Sequence, residues 1–301
     1  MAVVTPLDLA QKAAAVFEER GFENARLEAE LLLAAVLCMK RLDLYLQHDR
    51  PVTPEEVERF RAAVRRRLKH EPLQYIAGTA AFRQLELAVD ARVLIPRPET
   101  EVLVGEVLAW AERRAATGAV AAGNVVAADR GAALDIGTGS GAIALSLAGE
   151  GGFRRVVATD ASDAALAVAA ANVSRTKLGG IVELRHGSLF EPLRRGESFR
   201  AIVSNPPYIA DAERDALPAD VREHEPAMAL FAGPDGLRVI RGLIDGAPVW
   251  LEPGGLLALE IGAGQAEAVL ALTRAAGAYA RELIVPDLAG RPRILLAERT
   301  G

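Results

Sequence analysis

Residues equipped for chemistry cluster in two short stretches. The first, "LDIGTGSGAIAL" (134–145), sets Gly137, Thr138, Gly139, Ser140 and Gly141 between an apolar strand pattern and a helical one. Glycines there let the backbone approach a ligand at a helix N-terminus, where unpaired N–H groups point outward. Asp160 closes the next apolar run, about twenty residues on, where a carboxylate can accept both protons of a ribose diol. With Ala142 in its last position, the run also fits the G-x-G-x-x-G/A dinucleotide pattern. The loop alone therefore suits either NAD(P) or S-adenosylmethionine, and a glycine turn without a ligand is the plain structural alternative.

The second stretch is "AIVSNPPYIA" (201–210), an apolar strand that stops on Asn205-Pro206-Pro207-Tyr208. Two prolines remove two backbone donors and fix φ at both positions. In an open α/β sheet, ligands bind beyond the carboxyl ends of the strands near the point where strand order reverses, so this corner is expected beside whatever the glycine loop holds. Hydride transfer calls for a carbonyl polariser or acid/base group within hydrogen-bond reach. A Pro-Pro corner brings no donor of its own. It suits a planar amino group, with the Asn205 side-chain oxygen accepting one N–H and the Pro206 carbonyl the other. An amide or aniline-like nitrogen is a poor nucleophile because its lone pair is delocalised. Holding both hydrogens aims the lone pair at an electrophilic methyl and favours pyramidalisation. Tyr208 is suited to stack on the planar group and to favour the positive charge that grows on nitrogen. That chemistry is methyl transfer from a sulfonium, with S-adenosyl-L-methionine as donor and S-adenosyl-L-homocysteine as product. A simple strand terminator is the rival reading of the corner.

These two loops need a scaffold. From Ala132 onward the chain alternates strand and helix patterns: "AALDIG" then "GAIALSLAGE", "VVATD" then "DAALAVAAANVSRTK", "VELRH" with a short connection. "AIVSNPPYIA" precedes a long loop and the helix "GLRVIRGLIDGAPVW"; "GGLLALEIG" leads into "QAEAVLALTRAAG"; and "RELIVPD" and "RILLAER" follow. Repeated strand–helix steps predict a doubly wound, largely parallel α/β sheet. The short Gly/Pro loop between the last two strands predicts that one of them runs antiparallel.

Upstream, residues 5 to about 70 read as helices, two of them opening on Thr-Pro caps (Thr5-Pro6 and Thr53-Pro54), with no strand signal. The Arg65-Arg66-Arg67-Leu68-Lys69 run reads as a solvated helix face. Between the two regions, Leu85, Leu87 and Val89 alternate with polar and small residues, which predicts a short hairpin. A helix is expected from "IPRPETE" through Trp110, and "RRAATGAVAAGNVVAADRG" is expected to be a mobile surface loop.

Composition narrows the partners. A net charge of −5 over 301 residues argues against non-specific polyanion binding by the whole surface. The single cysteine, Cys38, excludes an internal disulfide framework and reads as a buried apolar residue in a reducing compartment. No signal-peptide pattern and no membrane-spanning run is read, so a soluble, cytoplasmic protein is expected. His48, His70, His186 and His224 show no metal-ligand spacing with one another or with Cys38, and His224 in "EHEP" is expected to be structural rather than a general base.

Across nearly its whole length the chain resembles the peptide chain release factor N5-glutamine methyltransferases. The likeness is carried by "EPLQYIAG" (71–78), "VLIPRPETEVLV" (93–104), "LDIGTGSGAIAL" (134–145), "SNPPYI" (204–209), "EHEPAMALFAGPDGL" (223–237), "LEIG" (259–262) and "DLAGRPR" (287–293). Many methyltransferases share the glycine loop, and several that modify planar amino groups share Asn-Pro-Pro-Tyr; "PLQYIAG" with "IPRPETE" is far narrower. The resemblance implies an N-terminal helical domain over residues 1–73 that recognises release factor, a β-hairpin linker over 74–97, and a seven-stranded class I, Rossmann-like methyltransferase domain over 98–301. It implies methylation of the glutamine in the Gly-Gly-Gln loop of class I release factors, by a monomer, without direct nucleic acid or membrane partners. By position, Gly137 to Gly141 and Asp160 would bind S-adenosylmethionine. Asn205, Pro206, Pro207 and Tyr208 would hold the glutamine amide, with Asn205 also close to the cofactor. Ser188 and Leu189 stand where the family carries an acidic residue and its neighbour near the adenine, so a Ser hydroxyl or backbone group is expected to take that role. Arg97 and Glu99 lie in the family's interdomain motif beside the cofactor pocket.

Three other readings stay open on the residues alone. A DNA or RNA amino-methyltransferase uses the same clamp on a base, but normally adds basic and aromatic surface for the strand; here only the Arg65 cluster offers any. An NAD(P) oxidoreductase would be revealed by nicotinamide held in the purified protein. A non-enzymatic adaptor on an inactive methyltransferase fold would not need the glycine loop, Asp160 and Asn205 all intact.

Overall fold

The structure, a computed structural model, describes residues 4–122 and 130–301. The chain forms two compact units, one reaching to Thr79 and including Pro218–His224, the other comprising Ala80–Leu217 and Glu225–Gly301.

The first unit is helical: Pro6–Glu19, Ala25–Val36, Asp43–Leu46, Pro54–Arg67 and Leu73–Ala77. Thr5 and Thr53 each close a capping box, with Asp8 and Glu56 respectively, and each has proline in the first turn. The two reciprocal bonds satisfy backbone donors that would otherwise lack partners. Apolar faces at helical spacing bring Leu9, Phe17, Leu32, Leu33, Leu44 and Phe60 together as the core. The segment Ala219–His224 belongs to this unit, where His224 Nε2 lies 3.1 Å from the Lys69 carbonyl. An open cleft of about 510 Å3, lined in part by Glu30, Arg26, Arg41 and Tyr45, also lies in this unit and contains neither of the two sequence motifs.

Two expectations for this unit are corrected. Arg67 is not part of a solvated face: it is 9% exposed, pairs with Glu28 through Nε at 2.5 Å, and lies 4.7 Å from the Phe22 ring centre. A guanidinium tolerates such burial because its donors are paired. Cys38 is exposed, not buried. The helix ends at Val36, and Cys38 adopts φ 54, which turns it off the buried stripe of that helix.

The second unit is built on a seven-stranded sheet. In chain order, a hairpin of β1 (Thr79–Phe82) and β2 (Leu85–Ala88) precedes β3 (Ala132–Ile136), β4 (Arg155–Asp160), β5 (Val182–His186), β6 (Phe199–Ser204), β7 (Leu251–Glu260), β8 (Tyr279–Pro286) and β9 (Pro292–Arg299). The sheet order is β5-β4-β3-β6-β7-β9-β8. All neighbours from β5 to β7 are parallel, and β9 runs antiparallel to both β7 and β8, as the short terminal loop predicts. The central strands β3, β4, β6 and β7 are apolar on both faces. Ala133, Val156, Val203, Leu256 and Ala258 face the helices Pro98–Ala122 and Ala142–Glu150. Leu134, Val157, Ile202, Leu257 and Leu259 face Arg238–Trp250 and Ala266–Ala276. Each fully buried Leu or Ile contributes about 1.5–3 kcal/mol, which is why a parallel sheet needs helices on both sides. The hairpin adds Phe82 and Leu87 to the first of these cores, and Asn172 brackets β2 through the Ala88 N–H (2.7 Å) and carbonyl (3.0 Å).

The helix that opens on "PETE" does not stop at Trp110; it runs from Pro98 to Ala122, so the first part of the expected surface loop is helical. Its composition of Ala, Arg and Glu favours helix once tertiary packing on the sheet pays for the first turns. Residues 123–129 of that expected loop lie outside the described residues. No helix among the described residues is long and apolar enough to cross a membrane.

Candidate active site

Strand order reverses between β3 and β6, since β4 and β5 lie to one side of β3 and β7 to the other. The glycine loop leaves the carboxyl end of β3 and the Asn-Pro-Pro-Tyr corner leaves the carboxyl end of β6. Parallel register pairs Asp135 with Val203, and the Ser204 hydroxyl bonds the Ile136 carbonyl at 2.7 Å, so the two loops start at the same level. The sheet therefore brings both sequence motifs to one edge.

In the glycine loop, the N–H groups of Gly137 and Thr138 bond the Thr159 carbonyl at 2.8 and 2.9 Å, and the Gly139 N–H bonds Asp160 Oδ2 at 2.9 Å. The Ser162 N–H holds Asp160 Oδ1 at 2.9 Å. Asp160 is thus oriented by both oxygens while keeping lone pairs for a further donor. Gly137 and Gly139 have φ of +74° and +55°, and a Cβ at either would meet nothing within 4 Å. The loop backbone borders open space that a ligand can enter. Gly141 serves packing instead: a Cβ there would lie 3.6 Å from that of Ala169 on the helix Asp163–Thr176. Thr138 and Ser140 are buried; the Thr138 hydroxyl bonds Asp135 Oδ2 at 2.6 Å, and the Ser140 carbonyl accepts from Asn172 at 2.9 Å. Burial pushes the Asp135 carboxyl up to about 7, and its Oδ1 is buried without a partner.

At the corner, Pro206 is buried and Asn205, Pro207 and Tyr208 are partly so. The Asn205 Nδ2 donates to Thr100 Oγ1 at 2.9 Å, and the Thr100 hydroxyl donates to Glu260 Oε2 at 2.6 Å. Tyr208 Oη donates to Glu260 Oε1 at 3.3 Å. Register explains the meeting: β7 pairs Leu259 with Ser204, so Glu260 ends β7 beside Asn205. The Tyr208 carbonyl accepts from Gln265 Nε2 at 2.9 Å, and Gly236 approaches it so closely that a Cβ there would lie 2.3 Å away. Burial, then the Glu260 charge, push the Tyr208 hydroxyl up, so it stays protonated. The Arg293 guanidinium lies 5.9 Å from the Tyr208 ring centre.

Of the remaining predicted positions, Ser188 and Leu189 follow β5, next to Asp160 through the pairing of His186 with that residue. The Ser188 N–H is taken by Glu191 Oε2 at 3.1 Å, and Leu189 packs against Gly242 of the helix Arg238–Trp250. Arg97 bonds the buried Glu225 at 2.6 Å, and Glu99 lies 3.9 Å from Arg291. Thr100, Asp135, Glu260 and Arg293 were not singled out from sequence. All four sit inside quoted motifs, but an acid at the end of an apolar strand reads as a boundary until its neighbours are known.

Comparison with known proteins follows the same division. Residues 8–78 match the family model described as PrmC N-terminal domain, and residues 111–221 match the methyltransferase small domain. Among solved structures, a methyltransferase from Pyrococcus furiosus aligns with a TM-score of 0.50 at 17% identity, covering 76% of this chain and 94% of that one. The catalytic domain of hMettl16, in a complex with the MAT2A 3'UTR hairpin 6, aligns with a TM-score of 0.53 at 16% identity over 82% of both chains. The fold and the matched domain define a class I, S-adenosylmethionine-dependent methyltransferase. The Release factor glutamine methyltransferase of Geobacter sulfurreducens is 47% identical over 254 residues, 84% of this chain and 83% of the relative. That of Moorella thermoacetica is 46% identical over 279 residues, 93% of each. The chain belongs to the release factor glutamine methyltransferase family.

Proposed function

We propose that this protein methylates the side-chain amide nitrogen of the glutamine in the Gly-Gly-Gln loop of peptide chain release factors. The observation that carries the reading is the Asn205–Thr100 bond. With Nδ2 committed to Thr100, the other end of the Asn205 amide is Oδ1, an acceptor beside the glycine loop. Asn205 Oδ1 and the Pro206 carbonyl hold the two amide hydrogens and turn the nitrogen lone pair outward. Tyr208, protonated and braced by Glu260 and Gln265, stacks on the planar amide.

Bound S-adenosylmethionine supplies an electrophilic methyl on a sulfonium. The loop Gly137 to Gly141 would form its cradle, with Gly137 and Gly139 bordering the ligand and Gly141 seating the loop on the helix behind it; Asp160 would accept from the ribose hydroxyls, and Ser188 and Leu189 would flank the adenine. The proton lost from the methylated amide is acidic enough to leave to water, so no general base is required.

Recognition of the release factor falls to residues 1–73, with 74–97 as a linker and 98–301 as the transferase domain. The protein acts as a cytoplasmic monomer, without nucleic acid or membrane. The test mixes the protein, S-adenosylmethionine and intact release factor. The expected product is a gain of one methyl on the Gly-Gly-Gln glutamine; label on DNA or RNA and none on release factor would overturn the reading. Asn205→Ala removes most turnover while circular dichroism stays native.

A further inference from the structure

Glu260 is 1% exposed and bonds two residues that flank the reacting corner, Thr100 and Tyr208. Neither Glu260 nor Thr100 has a part in holding substrate or cofactor as described above. Their hydrogen bonds nevertheless form a directed chain. An ionised carboxylate only accepts, so the single proton of the Thr100 hydroxyl goes to Glu260. The Thr100 oxygen can then only accept from Asn205, and the atom facing it must be Nδ2. Protonation of Glu260 lifts that constraint: Glu260 can then donate to Thr100, the freed Thr100 proton needs an acceptor in this buried site, and Asn205 supplies one when its amide turns over and presents NH2 toward the open edge. That NH2 would meet another N–H donor.

We propose that Glu260, acting through the one hydroxyl of Thr100, sets which end of the Asn205 amide faces the reacting nitrogen, so that both are positioning residues for methyl transfer. The inference rests on the function proposed above. The groups facing Glu260 are Thr100 and Glu99 from the helix Pro98–Ala122, Tyr208 from the corner and Arg293 from β9. Burial pushes Glu260 up to about 7; the Thr100 bond and the Arg293 charge oppose this, and Glu99 adds to it. The productive direction is therefore the one populated as pH rises through about 7.

The Asn205 side-chain amide can be followed directly by NMR in the protein alone, with its resonance assigned by its loss in Asn205→Ala. The expected result is a shift with a midpoint near 7 that disappears in Glu260→Gln, which keeps a carbonyl oxygen for Thr100 but cannot titrate. In Thr100→Val the resonance sits at the position of an unbonded amide at every pH. In release factor methylation, Thr100→Val lowers kcat about 10- to 100-fold, as expected for a misaligned binding group. Affinity for S-adenosyl-L-homocysteine is unchanged, Thr100→Ser restores the rate, and Glu260→Gln flattens the pH–rate profile. An Asn205 resonance indifferent to pH and to Glu260, or Thr100→Ser as slow as Thr100→Val, overturns the proposal. Failure of the unaltered protein to label release factor would instead strike the proposed substrate, leaving the NMR result to decide the Asn205 relay.

Discussion

The Ser204 hydroxyl donates to the Ile136 carbonyl at 2.7 Å, joining the last residues of β6 and β3. That single buried bond sits directly beneath both loops of the site: Gly137 follows one partner and Asn205 the other. The relative height of the cofactor loop and the amide clamp therefore depends on it, together with the strand register.

Ser204→Ala removes the bond without changing the strand. The expected loss is about 1 kcal/mol of stability, the usual net value of a buried hydrogen bond. Urea denaturation measures it. A parallel fall in affinity for S-adenosyl-L-homocysteine is expected, because the loop start loses its tie; calorimetry with no change in affinity would rule that coupling out.

Asp160 is held by the Gly139 and Ser162 N–H groups, so replacing it disturbs both the ligand contact and the loop. Asp160→Ala is expected to weaken S-adenosyl-L-homocysteine binding by more than about tenfold, the scale of a charged hydrogen bond left unmade. Asp160→Asn, which keeps one acceptor oxygen, should lose less. Equal affinity for all three proteins would contradict this role.

Gly236 has φ +70°, and a Cβ there would press on the Tyr208 carbonyl. Gly236→Ala must move the corner or strain the backbone, costing about 1–3 kcal/mol. Turnover should fall more than cofactor affinity, since the displaced group is Tyr208. A variant with native stability and rate would show that the corner shifts freely.

Charge gives the stability curve its shape. Arg185 and Arg155 hold Glu183 at about 2, and Arg185 first among its partners holds Glu197 at about 2. Both are depressed, so their contribution is complete above 4.5, their ordinary value, and is lost as pH falls toward 2. Asp135 and Glu260 are raised to about 7 by burial. The folded protein keeps their protons where the unfolded chain has released them, so stability declines as pH rises from about 4 to about 7. The melting temperature should therefore climb from pH 2 to a maximum near 4.5 and then decrease. Glu197→Gln should flatten the acid limb and cost about 2 kcal/mol, because it leaves the nearly buried Arg185 short of a partner. A melting temperature insensitive to pH below 4.5 would refute this account.

The strand–helix alternation after Ala132 was legible because a parallel sheet buried on both faces must be written as short apolar runs separated by helices. The antiparallel last strand was legible from loop length, since "DLAGRPR" is too short for a crossover. Helix ends were less so. The helix from Pro98 continues past Trp110 through Ala-rich sequence with no stop signal, and composition alone reads such a stretch as loop as readily as helix. Arg67 and Cys38 exchanged their expected environments for the same reason, as a basic run and an apolar run each describe a segment, whereas burial belongs to individual positions.

By itself the sequence determined the two loops, their order and the chemistry each suits, because backbone conformation and donor–acceptor inventory reside in residue type. Glycines at 137 and 139 with Asp160 suit a nucleoside-bearing cofactor, and the Asn-Pro-Pro-Tyr corner suits a planar amino group; the two together point to methyl transfer. Only the tertiary structure decided which end of Asn205 faces outward. That choice depends on Thr100, from a helix more than a hundred residues earlier, and on Glu260, from the adjoining strand. A hydrogen-bond chain acquires its direction from its last acceptor, and here that acceptor is buried beside Asn205 only through the register of β7 on β6.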